Sequence, residues 1–227
     1  MVVPVEGASG LVEVSGLLLR PRKANALLVL GHGAGAGMHH PFLEDLAQAL
    51  AARDVATFRY QFPYMESGRH RPDHPTRLVR TVRAAVDRAR RATRGLPILV
   101  GGKSMGGRIS SLAEARDPLG VRGVVFFGFP LQPPRDDGTK AAQRAEPLQR
   151  IETPMLFLQG TRDALAPLDS IQRLCRDLGR RAMLHVVEGA DHGFHVLKRS
   201  GRNDEEILVE IADATARWID GIVGGRE

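Results

Sequence analysis

Short apolar runs alternate along this chain with longer stretches of helical periodicity. The runs occupy residues 27–30, 55–59, 98–100, 121–127, 155–158 and 183–187. Each has the length and the β-branched or aromatic character of a buried strand. A further strand is expected near the N-terminus, around residues 11–19. Between the runs, Phe42, Leu43, Leu46 and Leu50 mark one helix, opened by Pro41, whose missing N–H is harmless in a first turn. A second helix is expected over residues 76–93, with Leu78, Val79, Val82, Ala85, Val86 and Ala89 on one face. A third starts directly after Ser104 and stops near Asp117-Pro118. A fourth carries Ile171, Leu174 and Leu178 and ends at Gly179, a residue suited to a left-handed cap. The last begins at about Asp204 and keeps Ile207, Ile211, Ala214, Trp218 and Ile222 in register.

This alternation predicts an α/β fold, a mostly parallel, doubly wound sheet of about six or seven strands with helices on both faces. Residues 60–75 and 128–153 read as irregular and are long enough to serve function. No internal repeat or linker divides the 227 residues, so a single domain is expected.

Composition narrows the classes. Apolar residues make up 43% and charged residues 26%, which fits a globular domain rather than a disordered chain. A lone cysteine, Cys175, excludes an intramolecular disulfide and a multi-thiolate zinc site. With no secretory signal pattern in the first 30 residues and no uninterrupted apolar span, a cytoplasmic protein away from membranes is the expectation. The formal charge of +6 raises the question of an anionic partner. Only four of the 32 basic residues are lysines, a bias that GC-rich codons would also produce.

The strongest local signal is Gly102-Lys103-Ser104-Met105-Gly106, a G-x-S-x-G sequence between an apolar strand and a helical stretch. In that context the serine sits on a tight, strained turn with its hydroxyl exposed above the sheet edge. Small residues two positions to either side let strand and helix approach. The helix N-terminus then offers the Met105 N–H to a developing oxyanion. A serine hydroxyl is a poor nucleophile at neutral pH, so a base must take its proton and an acid must orient that base. The required chain order is Ser, then Asp or Glu, then His, each beyond the carboxyl end of a strand. Asp163 follows residues 155–158 through Gln-Gly-Thr-Arg, and His192 follows residues 183–187 through Glu-Gly-Ala-Asp.

Rivals exist for both partners. Asp169 reads as a first-turn residue of a helix, and Asp191 as a residue that shapes the loop of its neighbour His192. His185 lies within a strand pattern, and His195 is an alternative base. A fourth element, Gly31-His-Gly-Ala-Gly-Ala-Gly37, follows residues 26–30. The Ala34 N–H is expected there as the second oxyanion donor. Gly33 and Gly35 would let the main chain approach a substrate. His32 is read as structural, and Lys103, beside the nucleophile, is assigned to the substrate-binding set.

Together HGAGAG, GGKSMGGR, QGTRD and DHGFH resemble the small α/β hydrolases related to dienelactone hydrolase, over about residues 27–223. The resemblance implies an α/β-hydrolase fold without a large cap and acyl-transfer chemistry. Dienelactone hydrolases proper carry cysteine at the elbow where this chain has Ser104, so lactone hydrolysis does not carry over. The expected reaction is cleavage of an ester-like bond, a carboxylic ester or thioester, in a small-molecule acyl substrate. It requires no metal and no organic cofactor.

Residues 60–75 supply Tyr60, Phe62, Tyr64 and Met65, then Arg69, His70 and Arg71. These predict an apolar wall with a cationic rim, suited to a modest acyl group with an anionic end. Residues 128–153 are too few for a large helical cap, so an open, shallow site is expected.

Two other functions compete. Gly31-x-Gly33-x-x-Ala36 fits a relaxed dinucleotide fingerprint, with Arg59 placed to hold a 2′-phosphate, but an NAD(P) site would leave Ser104, Asp163 and His192 without a role. Nine arginines from Arg69 to Arg94 face only Asp73 and Asp87 and could meet phosphates in a nucleic-acid-binding or scaffold protein. The periodicity favours a sheet-covering helix with an arginine-rich outer face, so no nucleic-acid partner is expected.

Overall fold

The computed structural model describes residues 1–7, 10–132 and 139–225. In chain order the elements are β1 (Val2–Gly7), β2 (Gly10–Leu19), β3 (Ala26–Gly31), α1 (Pro41–Ala51), β4 (Val55–Tyr60), α2 (Pro63–Glu66), α3 (Pro75–Ala92) and β5 (Ile98–Lys103). There follow α4 (Met105–Arg116), β6 (Val124–Phe127), α5 (Thr139–Gln149), β7 (Met155–Gly160), α6 (Leu168–Leu178), β8 (Ala182–Val187) and α7 (Asp204–Gly224). The strands form one eight-stranded sheet in the order β1-β2-β4-β3-β5-β6-β7-β8. Strands β1 and β2 form an antiparallel hairpin, and β2 also meets β4 antiparallel. From β4 to β8 every pairing is parallel.

Alternation along the central strands feeds two cores, one on each face. Val29, Phe58, Val100, Phe126 and Phe157 pack under α3, α4 and α6, whereas Leu28, Leu30, Leu99, Phe127 and Leu158 pack under α1 and α7. With helices over both faces, β3, β4 and β7 are buried at every position, as parallel strands in such a sandwich must be. Helix α1 starts at Pro41 with the His40 side chain accepting from the Phe42 N–H, and α7 starts in a capping box between Asn203 and Glu206. Cys175 lies buried on α6, where desolvation pushes its thiol up to about 12.

Several sequence expectations change. Strand β1 was not anticipated; its Val3 and Val5 point inward and its Pro4 outward, a pattern suited to an edge strand. The run expected over 121–127 pairs as a strand only from Val124. The span expected to be irregular at 128–153 contains α5, a polar helix with Pro147 inside it, while residues 133–138 lie outside the described residues. The arginines of α3 stitch that helix to its neighbours. Arg83 donates to the Ala113 carbonyl, Arg88 to the Val2 carbonyl and Arg90 to the Leu119 carbonyl. The inner face of α3 is the apolar one read from its periodicity. Among the described residues no helix is long and apolar enough to cross a membrane.

Candidate active site

The carboxyl ends of β3, β5, β7 and β8 converge on Ser104. Strand β5 turns directly into α4 through this residue, whose backbone sits at φ 50 and ψ −113. A side-chain-bearing residue held there stores on the order of 1–3 kcal/mol of strain. Close approach of main chains maintains the turn. A Cβ on Gly102 would lie 2.3 Å from the Gly31 carbonyl oxygen, and one on Gly106 would lie 2.2 Å from the same atom. Only glycine fits where the end of β3 crosses the elbow.

The structure brings Ser104, His192 and Asp163 together in a continuous hydrogen-bonded chain. His192 Nε2 is 2.8 Å from Ser104 Oγ, and its Nδ1 is 2.7 Å from Asp163 Oδ2. With Nδ1–H donating to the carboxylate, the Nε2 lone pair faces the serine O–H. The Asp163 carboxylate is fully buried. Its Oδ1 accepts from the Leu165 N–H at 2.8 Å and its Oδ2 from Gln159 Nε2. Gln159 in turn accepts from the Phe129 N–H at 3.1 Å, which couples the acid to the end of β6. Sequence reasoning passed over Gln159. Its signal was a polar residue at the end of the otherwise apolar strand Met155–Gly160.

The rivals are engaged elsewhere. Asp191 accepts from the N–H groups of Gly193 and His195 and so closes the loop that carries His192. His185 pairs with Glu210, His195 with Asp204, and Asp169 stands in the first turn of α6. Lys103 lies beside the serine, its ammonium donating to the His192 carbonyl at 2.5 Å and facing the rings of Phe42 and Phe194. Burial lowers its pKa to about 8, although Asp163 and Asp191 partly oppose the shift.

The loop after β3 is held by side chains. His32 is fully buried, and its Nε2 accepts from the Phe62 N–H at 3.1 Å. Its proton therefore resides on Nδ1, which donates to the Gly33 carbonyl at 2.7 Å. Burial lowers the His32 pKa to about 4, so the ring is neutral at pH 7. Tyr64 Oη accepts from the Gly35 N–H at 3.2 Å. Among the described residues neither the Ala34 nor the Met105 N–H has an acceptor. Both residues line the region of Ser104 or adjoin it, with Met105 at the N-terminus of α4.

The cavity at Ser104 departs from the shallow site expected. It has a volume of about 1200 Å³ and extends from Gly33, Ala34, Lys103 and His192 into a groove between α1 and α7. Tyr60 and Tyr64 do not line it. Tyr60 ends a strand covered on both faces and is buried beneath the elbow, so a Cβ on Gly31 would meet its hydroxyl at 2.7 Å. Phe62 and Tyr64 stack on each other and meet the His32 ring edge-on and tilted, supporting the Gly31–Gly37 loop from below. The apolar wall expected from residues 60–75 is thus a loop support. Gly35 also stands outside the cavity lining, bound to Tyr64.

The dinucleotide reading loses its parts in the same geometry. Helix α1 begins at Pro41, too far beyond Ala36 for its N-terminus to follow the glycines directly. Arg59 is buried and donates to the Met38 carbonyl and to Glu44. Among the described residues no group of three or more His, Cys, Asp or Glu side chains is arranged to hold a metal ion.

Known structures share this architecture. Dienelactone hydrolase from Anabaena variabilis superposes with a TM-score of 0.76 at 21% identity, covering 98% of this chain and 97% of its own. The esterase domain of a Rhodothermus marinus protein gives 0.72 at 16% identity, with 99% of each chain covered. A serine hydrolase without a lid from Xanthomonas campestris gives 0.70 at 18%, covering 96% of this chain and 94% of that one. A family model described as the alpha/beta hydrolase domain matches residues 24–220, which span six of the eight described strands and the helices that cover them, and the chain belongs to that family.

Proposed function

We propose that this protein is a serine hydrolase that cleaves an ester-like bond, a carboxylic ester or thioester, through an acyl-enzyme on Ser104. The observation that carries the reading is the pair of contacts made by His192, 2.8 Å to Ser104 Oγ and 2.7 Å to Asp163 Oδ2. That geometry lets the imidazole take the serine proton while the buried carboxylate stabilises the imidazolium that forms. As Ser104 Oγ bonds to the carbonyl carbon, the carbonyl electron pair moves to oxygen, where the free N–H groups of Met105 and Ala34 receive it. Collapse expels the alcohol or thiol, which takes the proton from His192. Water then attacks the acyl-enzyme by the same route, releases the acid and restores the serine. The fold shared with an esterase domain and a lidless serine hydrolase supports this reading.

Labelling with a fluorophosphonate probe, together with hydrolysis of p-nitrophenyl acetate, tests it. Wild type should react at Ser104, and Ser104→Ala or His192→Ala should lower hydrolysis by at least about 10⁴-fold. A folded wild-type protein that neither labels nor hydrolyses would overturn the reading.

A further inference from the structure

We infer that one arm of the ester is an extended, uncharged apolar chain that lies in the groove between α1 and α7. The inference rests on the esterase reading above and names its substrate class.

On α1, Phe42, Asp45 and Ala49 recur at helical spacing and form one stripe of the groove wall, continued by Arg53 just past the helix. From Phe42 to Arg53 the helical rise spans about 16 Å. On α7, Glu205, Leu208 and Val209 form the facing stripe. Phe42, Ala49 and Leu208 pack against the margin of the core and turn their remaining surface to the groove. In the core itself α1 spends Leu43, Leu46 and Leu50, and α7 spends Ile207 and Ile211. Each helix therefore extends its core face into a partly exposed apolar margin, interrupted by Asp45 on α1 and Glu205 on α7. Val209 on the α7 stripe is 43% exposed, and Phe42, Ala49 and Leu208 are half-buried. An apolar surface open to solvent and continuous with a nucleophile is suited to the substrate itself.

The entrance to the groove is built with care. Phe42 and Phe194 stack with ring centroids 5.6 Å apart and an interplanar angle of 8°. Phe194 takes this position at φ 68, a left-handed conformation that is costly for an aromatic residue. It stands two residues after His192, so the apolar path starts where the reacting bond must lie.

The charges along the rim exclude an anionic terminus. Arg53 is committed to Asp213 at 2.6 Å, and the Lys103 ammonium turns to the His192 carbonyl. His195 pairs with Asp204. The carboxylates of Asp45 and Glu205 line the groove without a hydrogen-bonding partner among the described residues. A carboxylate-terminated chain would meet acids here, contrary to the anionic acyl group expected from Arg69, His70 and Arg71.

The test measures kcat/KM for two ester series, p-nitrophenyl esters of lengthening acyl chain and acetates of lengthening alkyl alcohol. In one series the value should rise about fourfold per added methylene until the groove is filled. An ω-carboxylated chain of the same length should fall at least about tenfold below its neutral counterpart. Ala49→Trp, which fills the groove, and Val209→Arg, a change at an exposed position, should each lower the long-to-short ratio by about tenfold. A flat profile in both series, or an unchanged ratio in both variants, would sink the inference. Fluorophosphonate labelling separates the two failures. If Ser104 labels and the profiles are flat, the groove assignment fails alone, and if Ser104 does not label, the esterase reading fails with it.

Discussion

Two glycine-rich turns face each other across the site, and they are held by different means. The elbow after β5 is locked by main chain against main chain, since Gly102 and Gly106 both lie against the Gly31 carbonyl with no room for a Cβ. The loop after β3 is tied by side chains to the segment some thirty residues further along, its own His32 accepting from the Phe62 N–H and Tyr64 accepting from the Gly35 N–H. The Met105 N–H therefore has a position set by backbone packing, and the Ala34 N–H one set by replaceable struts. Lesions in the first turn should be severe and structural. Those in the second should be graded and should appear in activity as well as stability.

The contrast can be broken most sharply at the elbow. Gly106→Ala should cost about 3 kcal/mol or more in urea unfolding, because backbone atoms at 2.2 Å cannot yield as a flexible side chain does. A variant within 1 kcal/mol of wild type would mean that the crossing is soft.

His32 should produce the next largest effect, through pH. Its folded pKa of about 4 lies below the unfolded value of 6.5, so the unfolded state binds the proton more readily. The stabilisation is complete above pH 6.5 and is lost as pH falls toward 4, for a total of about 3 kcal/mol. In His32→Asn this part of the acid dependence should vanish from equilibrium unfolding curves. An unchanged slope would remove the ring from its role as the loop's neutral strut.

Lys103 sharpens the comparison from the other side, since its side chain ties the elbow to the main chain of the base loop. Its ammonium loses its proton as pH rises through about 8, and the charge-assisted bond to the His192 carbonyl weakens with it. Wild-type kcat should therefore decline on the alkaline side of pH 8. Lys103→Met should lower kcat by about tenfold, the equivalent of one lost charged hydrogen bond, and abolish that alkaline limb. The smallest change is expected of Tyr64→Phe. It should cost about 1 kcal/mol of stability and a few-fold in kcat with little change in KM, as the loop beneath Ala34 loosens. A loss as large as that of Gly106→Ala would erase the distinction between the two turns.

The same distinction explains what could be read from the sequence. The elbow was legible because its demand for glycine is local, and Asp163 and His192 could be located because each follows an apolar strand by a few residues. The strands could be located from their apolar runs, except β1, where two inward valines are too short a pattern to stand out. Tyr60 and Tyr64 were assigned to a substrate wall because aromatic residues on a loop look available. Only the tertiary structure turns them under the elbow and against His32. The groove was illegible for a related reason. Its walls belong to α1 and α7, more than 150 residues apart in the chain, and the apolar margins of their core faces form a groove only when the helices lie side by side. Gln159 shows the intermediate case, a polar residue in an apolar strand whose purpose appears once Asp163 and Phe129 are seen around it.

The buried thiol of α6 has a practical corollary. With Cys175 held protonated well above neutral pH and a hydroxyl rather than a thiol at the elbow, mild alkylating agents and peroxide find no thiolate at the reaction centre. A thiol at the elbow would be open to stepwise oxidation, and the hydroxyl of Ser104 is not.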